Sequence, residues 1–243
     1  MKRMTTKAIL ATALVLILQG CSQQKAVEKP KTSASQSQSV SSSQASSSSE
    51  ASSSSSQEKS VKSDEESYQK VFEDYRLLLS SNSSDTQAAE NLRNQLHFPL
   101  EYWTVDNILA QPDALAYSFH DLNGDGQKEL LVGAKFGENP YHLVSLYYLK
   151  GQEPALLGES HAASVGGSRV TLFVYRDGHV LSSHWHSGSG NGQATLYQLS
   201  NQKQEPEILQ QIDFTKTADA GESQFGLSQA DRLDMDSLTW KKF

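Results

Sequence analysis

From Tyr68 onward, apolar residues recur at helical spacing. Tyr68, Val71, Phe72, Tyr75, Leu78 and Leu79 share one face, with Gln69, Lys70, Glu73 and Asp74 between them. Steps of three and four residues line up along one stripe of a helix, so this stretch predicts an amphipathic helix. The serine-rich stretch Ser80–Ser84 breaks it. Asp85 is placed to cap a second helix through Ala88, Leu92 and Leu96, and a third short helix holds Trp103, Val105 and Leu109. Pro112 ends the helical part, because proline lacks the N–H that a helix interior needs.

Beyond Pro112 the texture changes to short apolar runs bounded by turn residues, which predicts strands. They fall near residues 115–120, 129–135, 143–149 and 155–159, then near 170–175, 179–186, 193–199 and 207–214. Arg176-Asp177-Gly178 reads as a hairpin turn. The runs form two similar series of roughly 45–50 residues each. In residues 215–243, Phe225, Leu227, Leu233, Met235, Leu238 and Trp240 offer a late packing segment. The expected fold class is α+β, with N-terminal helices packed on an antiparallel meander of about eight strands.

The first 66 residues carry a different pattern. Lys2, Arg3 and Lys7 precede an apolar run, Ala8–Leu18. At about 1.5 Å per residue that run is too short for a hydrocarbon core of roughly 30 Å, so it reads as the apolar region of an export signal. It ends in Leu18-Gln19-Gly20-Cys21, and Cys21 is the only cysteine in the chain. Residues 33–56 contain 16 serines in 24 positions, too little apolar surface to offset the entropy of ordering them. The expected organisation is a signal peptide over 1–20, a disordered Ser-rich linker over 21–66, and one α+β domain over 67–243. A tether of that length spans roughly 35–40 Å on average.

The segment ending at Cys21 resembles the bacterial lipobox. That resemblance implies diacylglyceryl transfer to the Cys21 thiol, cleavage before it, and anchoring by acyl chains at about 0.8 kcal/mol per buried methylene. Lipobox and serine tether together resemble Gram-positive surface lipoproteins. The formal charge is −7, and loss of Lys2, Arg3 and Lys7 shifts it by three, to −10. Phosphate backbones and anionic lipid headgroups repel such a chain, so nucleic acid is not an expected partner. With a single cysteine, no intramolecular disulfide and no cysteine-based zinc site can form.

One stretch carries chemistry: Asp121-Leu122-Asn123-Gly124-Asp125-Gly126-Gln127-Lys128-Glu129. Oxygen side chains at loop positions 1, 3, 5 and 9, with glycine at 6, turn inward around a hard cation such as Ca²⁺. Asp121, Asn123, Asp125 and Glu129 would supply side-chain oxygens and Gln127 its carbonyl. Three carboxylates in nine residues repel one another without a cation between them. The alternative is a polar hairpin loop whose carboxylates cap local N–H groups. Position 12 is Val132 where an EF-hand has glutamate, and the flanks read as strands. The stretch resembles the strand–loop–strand calcium sites of FG-GAP repeats, which usually end in aspartate where Glu129 stands. It also resembles the Asp-x-Asn-Gly-Asp-Gly-x-x-Glu-Leu element of Gram-positive surface lipoproteins. With one loop and no ligand at position 12, the expected calcium affinity falls in the weak extracellular range, about 10⁻⁴–10⁻³ M, which suits a structural ion.

His184-Trp185-His186 would place two imidazoles on one strand face, a chelating pair that lacks a further ligand unless His120, His161 or His179 joins it. The plainer reading is two surface histidines flanking a core tryptophan. Ser187-Gly188-Ser189-Gly190-Asn191-Gly192 has no lysine or following helix for a phosphate loop, and no Gly-x-Ser-x-Gly occurs around Ser164-Val165-Gly166-Gly167-Ser168. No catalytic signature emerges. The expectation is therefore a non-enzymatic binding or interaction lipoprotein, lipid-anchored on the extracytoplasmic face of a cell membrane and directed at an unknown extracellular or envelope ligand. The other readings are an envelope assembly or folding factor, and a zinc-dependent envelope hydrolase using His184 and His186.

Overall fold

A computed structural model of the chain describes residues 62–81, 86–163, 167–200, 205–215 and 218–243. The signal segment, Cys21, nearly all of the linker, Asp85 and residues 164–166 lie outside it. Structure begins with a short helix, α1 (Asp64–Ser67), four residues before the first predicted element. Ser63 Oγ accepts the Glu66 N–H at 3.2 Å while the Glu66 carboxylate accepts the Ser63 N–H at 2.8 Å, a reciprocal cap. Helix α2 (Gln69–Ser80) follows and buries Val71, Phe72, Tyr75 and Leu78, the face its periodicity predicts.

Asp74 departs from that pattern. Placed by sequence among the polar positions of α2, it is buried, because its carboxylate accepts the N–H groups of His97 (2.8 Å) and Phe98 (2.9 Å). These bonds satisfy donors left open beyond α3 (Thr86–Arg93), so a buried charge staples two helical segments together. Helix α4 (Tyr102–Ala110) buries Thr104, Val105 and Ile108, and Pro112 opens a 3₁₀ turn instead of prolonging it.

Nine antiparallel strands follow in two sheets. The first contains β1 (Leu115–His120), β2 (Glu129–Ala134), β3 (His142–Lys150) and β4 (Glu153–Glu159) in sequential order. The second contains β5 (His161–Ala162), β6 (Ser168–Val174), β7 (His179–His186), β8 (Asn191–Gln198) and β9 (Glu207–Thr215). The two series expected from sequence are these two meanders, with the two-residue β5 added. The fold is α+β.

Every residue of β2 is buried because both faces of the first sheet are covered. Leu130 and Val132 join Tyr68, Phe72, Tyr75 and Val105 beneath the helices. Leu131 faces the other way, into a cluster with Leu143, Leu146, Leu172, Val174 and Val180 that joins the two sheets. A third cluster of Tyr175, Leu181, Ala194, Leu196 and Phe214 covers the far side of the second sheet, with Phe225 and Leu227 packed on it. Leu233, Met235, Leu238 and Trp240 pack on the middle cluster, so the weakly patterned C-terminal residues do form a late packing segment. Lys241 exchanges both main-chain bonds with Tyr117 at 2.8 Å, which brings Phe243 against Phe72, Tyr75 and Tyr117.

Candidate functional site

The Asp121–Glu129 loop joins β1 to β2, so its flanks are strands, as the sequence pattern implies. Position 12, Val132, is fully buried in the core and faces no ligand. Gly124 and Gly126 take φ of 74° and 87°, the left-handed region that a side chain disfavours. Leu122, 6% exposed, plugs the loop into the inter-sheet core. The helical layer holds the other side. The Tyr68 hydroxyl donates to the Lys128 carbonyl at 2.8 Å, and Lys128 Nζ pairs with Asp64 of α1 at 2.7 Å.

Within the loop, side chains fold onto main-chain donors. Asp121 accepts the N–H groups of Gly124 (2.8 Å), Asp125 (3.2 Å) and Gly126 (3.0 Å). Asn123 Oδ1 accepts the Asp125 N–H at 3.0 Å, and Asp125 Oδ1 accepts the Gln127 N–H at 2.7 Å. Glu129 Oε2 accepts the Leu122 N–H at 2.8 Å. A carboxylate offers about four lone-pair positions, so Asp125 and Glu129 keep acceptor capacity after these bonds.

Glu129 is the unusual member. It is 4% exposed, and burial pushes its carboxyl up to about 7; the Leu122 N–H pulls it down, while Asp125 and Asp121 push it further up. Lys128, the neighbouring cation, is turned outward to Asp64. Beside this carboxylate lies a cavity of about 20 Å³ lined by Asn123, Asp125, Gln127, Lys128 and Glu129, by Ser200, Glu205 and Pro206 of the β8–β9 connection, and by Tyr148, Leu149 and Leu199. Such a space holds about one water molecule or ion. Four of the five residues expected from spacing thus surround one small polar space. Asp121 is not among its lining residues.

Glu205 was invisible to sequence reasoning, since it arrives from the β8–β9 connection, where it also pairs with Lys150. Among the described residues, no three His, Cys, Asp or Glu side chains are grouped so as to hold a metal as they stand. Asp121 accepts three loop N–H groups, and the Asn123 amide donates to Asp125 at 3.3 Å. The donors are hard oxygens of the kind calcium takes, and Glu129 is a buried carboxylate whose neighbour Lys128 pairs with Asp64. In chemical type these residues fit the ion, provided that Asp125 and Asn123 give up their mutual bond.

His184 and His186 lie on one face of β7 and are exposed, while Trp185 turns to the opposite face and packs on the third core cluster. His161 stands in the same cross-strand row as His184, with Val170 of β6 between them. His120 ends β1, and His179 starts β7 beside Asp177. Residues 187–190 form the tight β7–β8 connection, with the Gly190 N–H donating to the His186 carbonyl at 2.7 Å.

A larger feature has no counterpart in the sequence reading. A cavity of about 800 Å³ opens between α4, the start of β3, β5–β6 and the Arg232–Met235 segment. Its lining is mostly apolar, with Trp103, Ile108, Leu143, Leu172 and Trp185 prominent. Polar side chains interrupt it, among them Asp106, Asn107, Gln111, His161, Arg169 and Arg232. His161 Nδ1 lies 3.2 Å from the Thr104 hydroxyl, and burial lowers its pKa. Arg169 Nη1 donates to the carbonyls of Ala163 (3.0 Å) and Ser168 (2.9 Å). These residues come from five separate elements, so no local motif could announce them.

The chain matches no protein-family model, no curated protein and no solved structure.

Proposed function

We propose that the protein is a lipid-anchored extracytoplasmic binding module whose β1–β2 loop takes a structural calcium ion. The observation that carries the calcium reading is Glu129, a buried carboxylate beside a 20 Å³ space that Asn123, Asp125 and Glu205 also line, while the ammonium of the neighbouring Lys128 pairs with Asp64. A divalent ion there would offset both the burial of that charge and its repulsion by Asp121 and Asp125. It would also fasten the loop to the β8–β9 connection through Glu205. The 800 Å³ cavity favours a binding role, since mostly apolar concavities of this size with interspersed polar groups are where small ligands and peptides lodge.

A thermal melt of the full chain in millimolar calcium and in chelator tests the ion. At about ten times the dissociation constant, linkage supplies roughly 1.4 kcal/mol. That should raise the midpoint by about 3–6 °C. The shift should vanish in Asp125→Ala. Equal midpoints in calcium and chelator for the wild-type protein would reduce the loop to a self-capped hairpin turn.

A further inference from the structure

Six consecutive residues of β6, Arg169–Val174, line the large cavity. A strand that showed only one face would contribute alternate residues, so it is the edge of β6 that borders this space. The edge is covered at both ends. Ala163 N–H donates to the Ser168 carbonyl at 2.9 Å, and β5 pairs through Ala162 with Arg169 and through His161 with Val170. At the other end Leu233 N–H donates to the Val174 carbonyl at 2.8 Å, beside an antiparallel bridge between Tyr175 and Arg232.

Main-chain groups of alternate residues in an antiparallel strand point to the same side. Ser168 and Val174 both direct their carbonyls outward, so Leu172, which lies between them in phase, does the same. Its opposite number on β7 is Ser182, in a pair whose main-chain groups face away from each other. Neither the N–H nor the C=O of Leu172 has a partner among the described residues. An extended chain entering between His161 and Leu233 would meet that donor and acceptor together. Between the covered residues Val170 and Val174 the strand rises about 13 Å, and Leu172, 3% exposed, lies at the midpoint of that gap.

We propose that the cavity binds a short apolar peptide segment in extended form, one residue of which pairs main chain to main chain with Leu172. Main-chain pairing supplies affinity independent of sequence, and the apolar walls select the side chains. Trp103 and Ile108 of α4, with Leu143 of β3, form the wall on one side of the edge; Phe173 and Trp185 form it on the other. A plain aliphatic chain would match these walls but leave the Leu172 amide and carbonyl unanswered. A sugar would answer them but waste the walls.

This inference rests on the binding role proposed above and is separable from the calcium site, which the chelator melt tests alone. The probe is a set of N-acetylated, C-amidated pentapeptides built from Ala, Val, Leu, Ile and Phe, titrated into the full chain by calorimetry. The best peptides should bind with Kd in the micromolar range. N-methylation at one central position should weaken them at least tenfold, because it removes the N–H that meets the Leu172 carbonyl. Ala162→Trp, at an exposed position on the cavity wall, should abolish binding. Should that variant fail to fold, the amide resonance of Leu172 in leucine-labelled wild-type protein should still shift on peptide addition. Failure of every peptide to bind below millimolar Kd would overturn the proposal. So would equal binding of all N-methylated versions, or binding of dodecanoate without any peptide binding.

Discussion

At pH 8 and without a divalent cation, Glu129 holds a charge that its surroundings oppose. Its carboxyl sits at about 7 in the folded chain against an ordinary value of 4.5. Between those two values the folded state binds the extra proton, so calcium-free stability falls as pH rises from about 4.5 through 7 and stays at its lower level above. Glu129→Gln keeps an oxygen for the Leu122 N–H and removes the charge. In chelator at pH 8 this variant should melt several degrees above wild type, at about 2–4 °C per kcal/mol for a domain of this size. The gap should close by pH 5, and the calcium response should be lost. A variant that melts below wild type in chelator at pH 8 would show that Glu129 is not a strained charge. The spacing of Asp121, Asn123, Asp125 and Glu129 is legible in the sequence because a tight loop brings near neighbours together. Glu205 is not, since only the register of β8 against β9 and the stacking of two sheets carry it to the loop. Nor is the spending of Asp121 on three N–H groups, which depends on backbone angles at Gly124 and Gly126 that a residue name permits but does not dictate.

At the scale of elements, periodicity served well where runs were long. The face of α2, eight of the nine strands and the Arg176–Gly178 hairpin follow from alternation, helical spacing and turn chemistry, whereas α4 buries Thr104, Val105 and Ile108 in place of the expected Trp103, Val105 and Leu109. What escaped was short or long-range. β5 pairs two residues only, below any periodic window, and α1 rests on a cap followed by a single turn. The C-terminal residues show no period because their partners are distant. Trp240 lies against Gly133 of β2, where an added Cβ would stand 2.6 Å from the indole ring. The indole has little room to retreat, since it stacks on Tyr141 at 4.3 Å and donates to the Met235 carbonyl at 2.7 Å. Gly133→Ala should therefore cost about 1–3 kcal/mol, the usual penalty of overpacking. Urea unfolding can check this, and the penalty should shrink in a Trp240→Ala background, because the clash is with that ring. Additive losses would place the strain in the β2 backbone, at the register shift between Val132 and Gly133.

For the whole molecule, the final residues act as a strap across both sheets, and its closure depends on one buried charge. Glu222, 3% exposed, accepts Arg232 through both oxygens at 2.8 and 2.7 Å and the Tyr175 hydroxyl at 2.8 Å. Arg232 also lies 3.5 Å from the Phe173 ring centre. Glu222 is the buried member and Arg232 is 25% exposed, so Arg232→Ala, which leaves the buried carboxylate without its cation, should cost about 3–5 kcal/mol, with much less added by Glu222→Ala in the same chain. The N-terminal end poses the complementary question of where the domain is held. Among the described residues no helix is long and apolar enough to cross a membrane. In the proposed role, attachment is through acyl chains at Cys21, the chain's one thiol. Two or three chains bind a bilayer far more firmly than one, so fractionation should be all or none. The wild-type chain should incorporate an alkynyl palmitate label and sediment with membranes after a carbonate wash. Cys21→Ala should lose the label and leave the membrane fraction. A wild-type chain that stays soluble and unlabelled would remove the anchor.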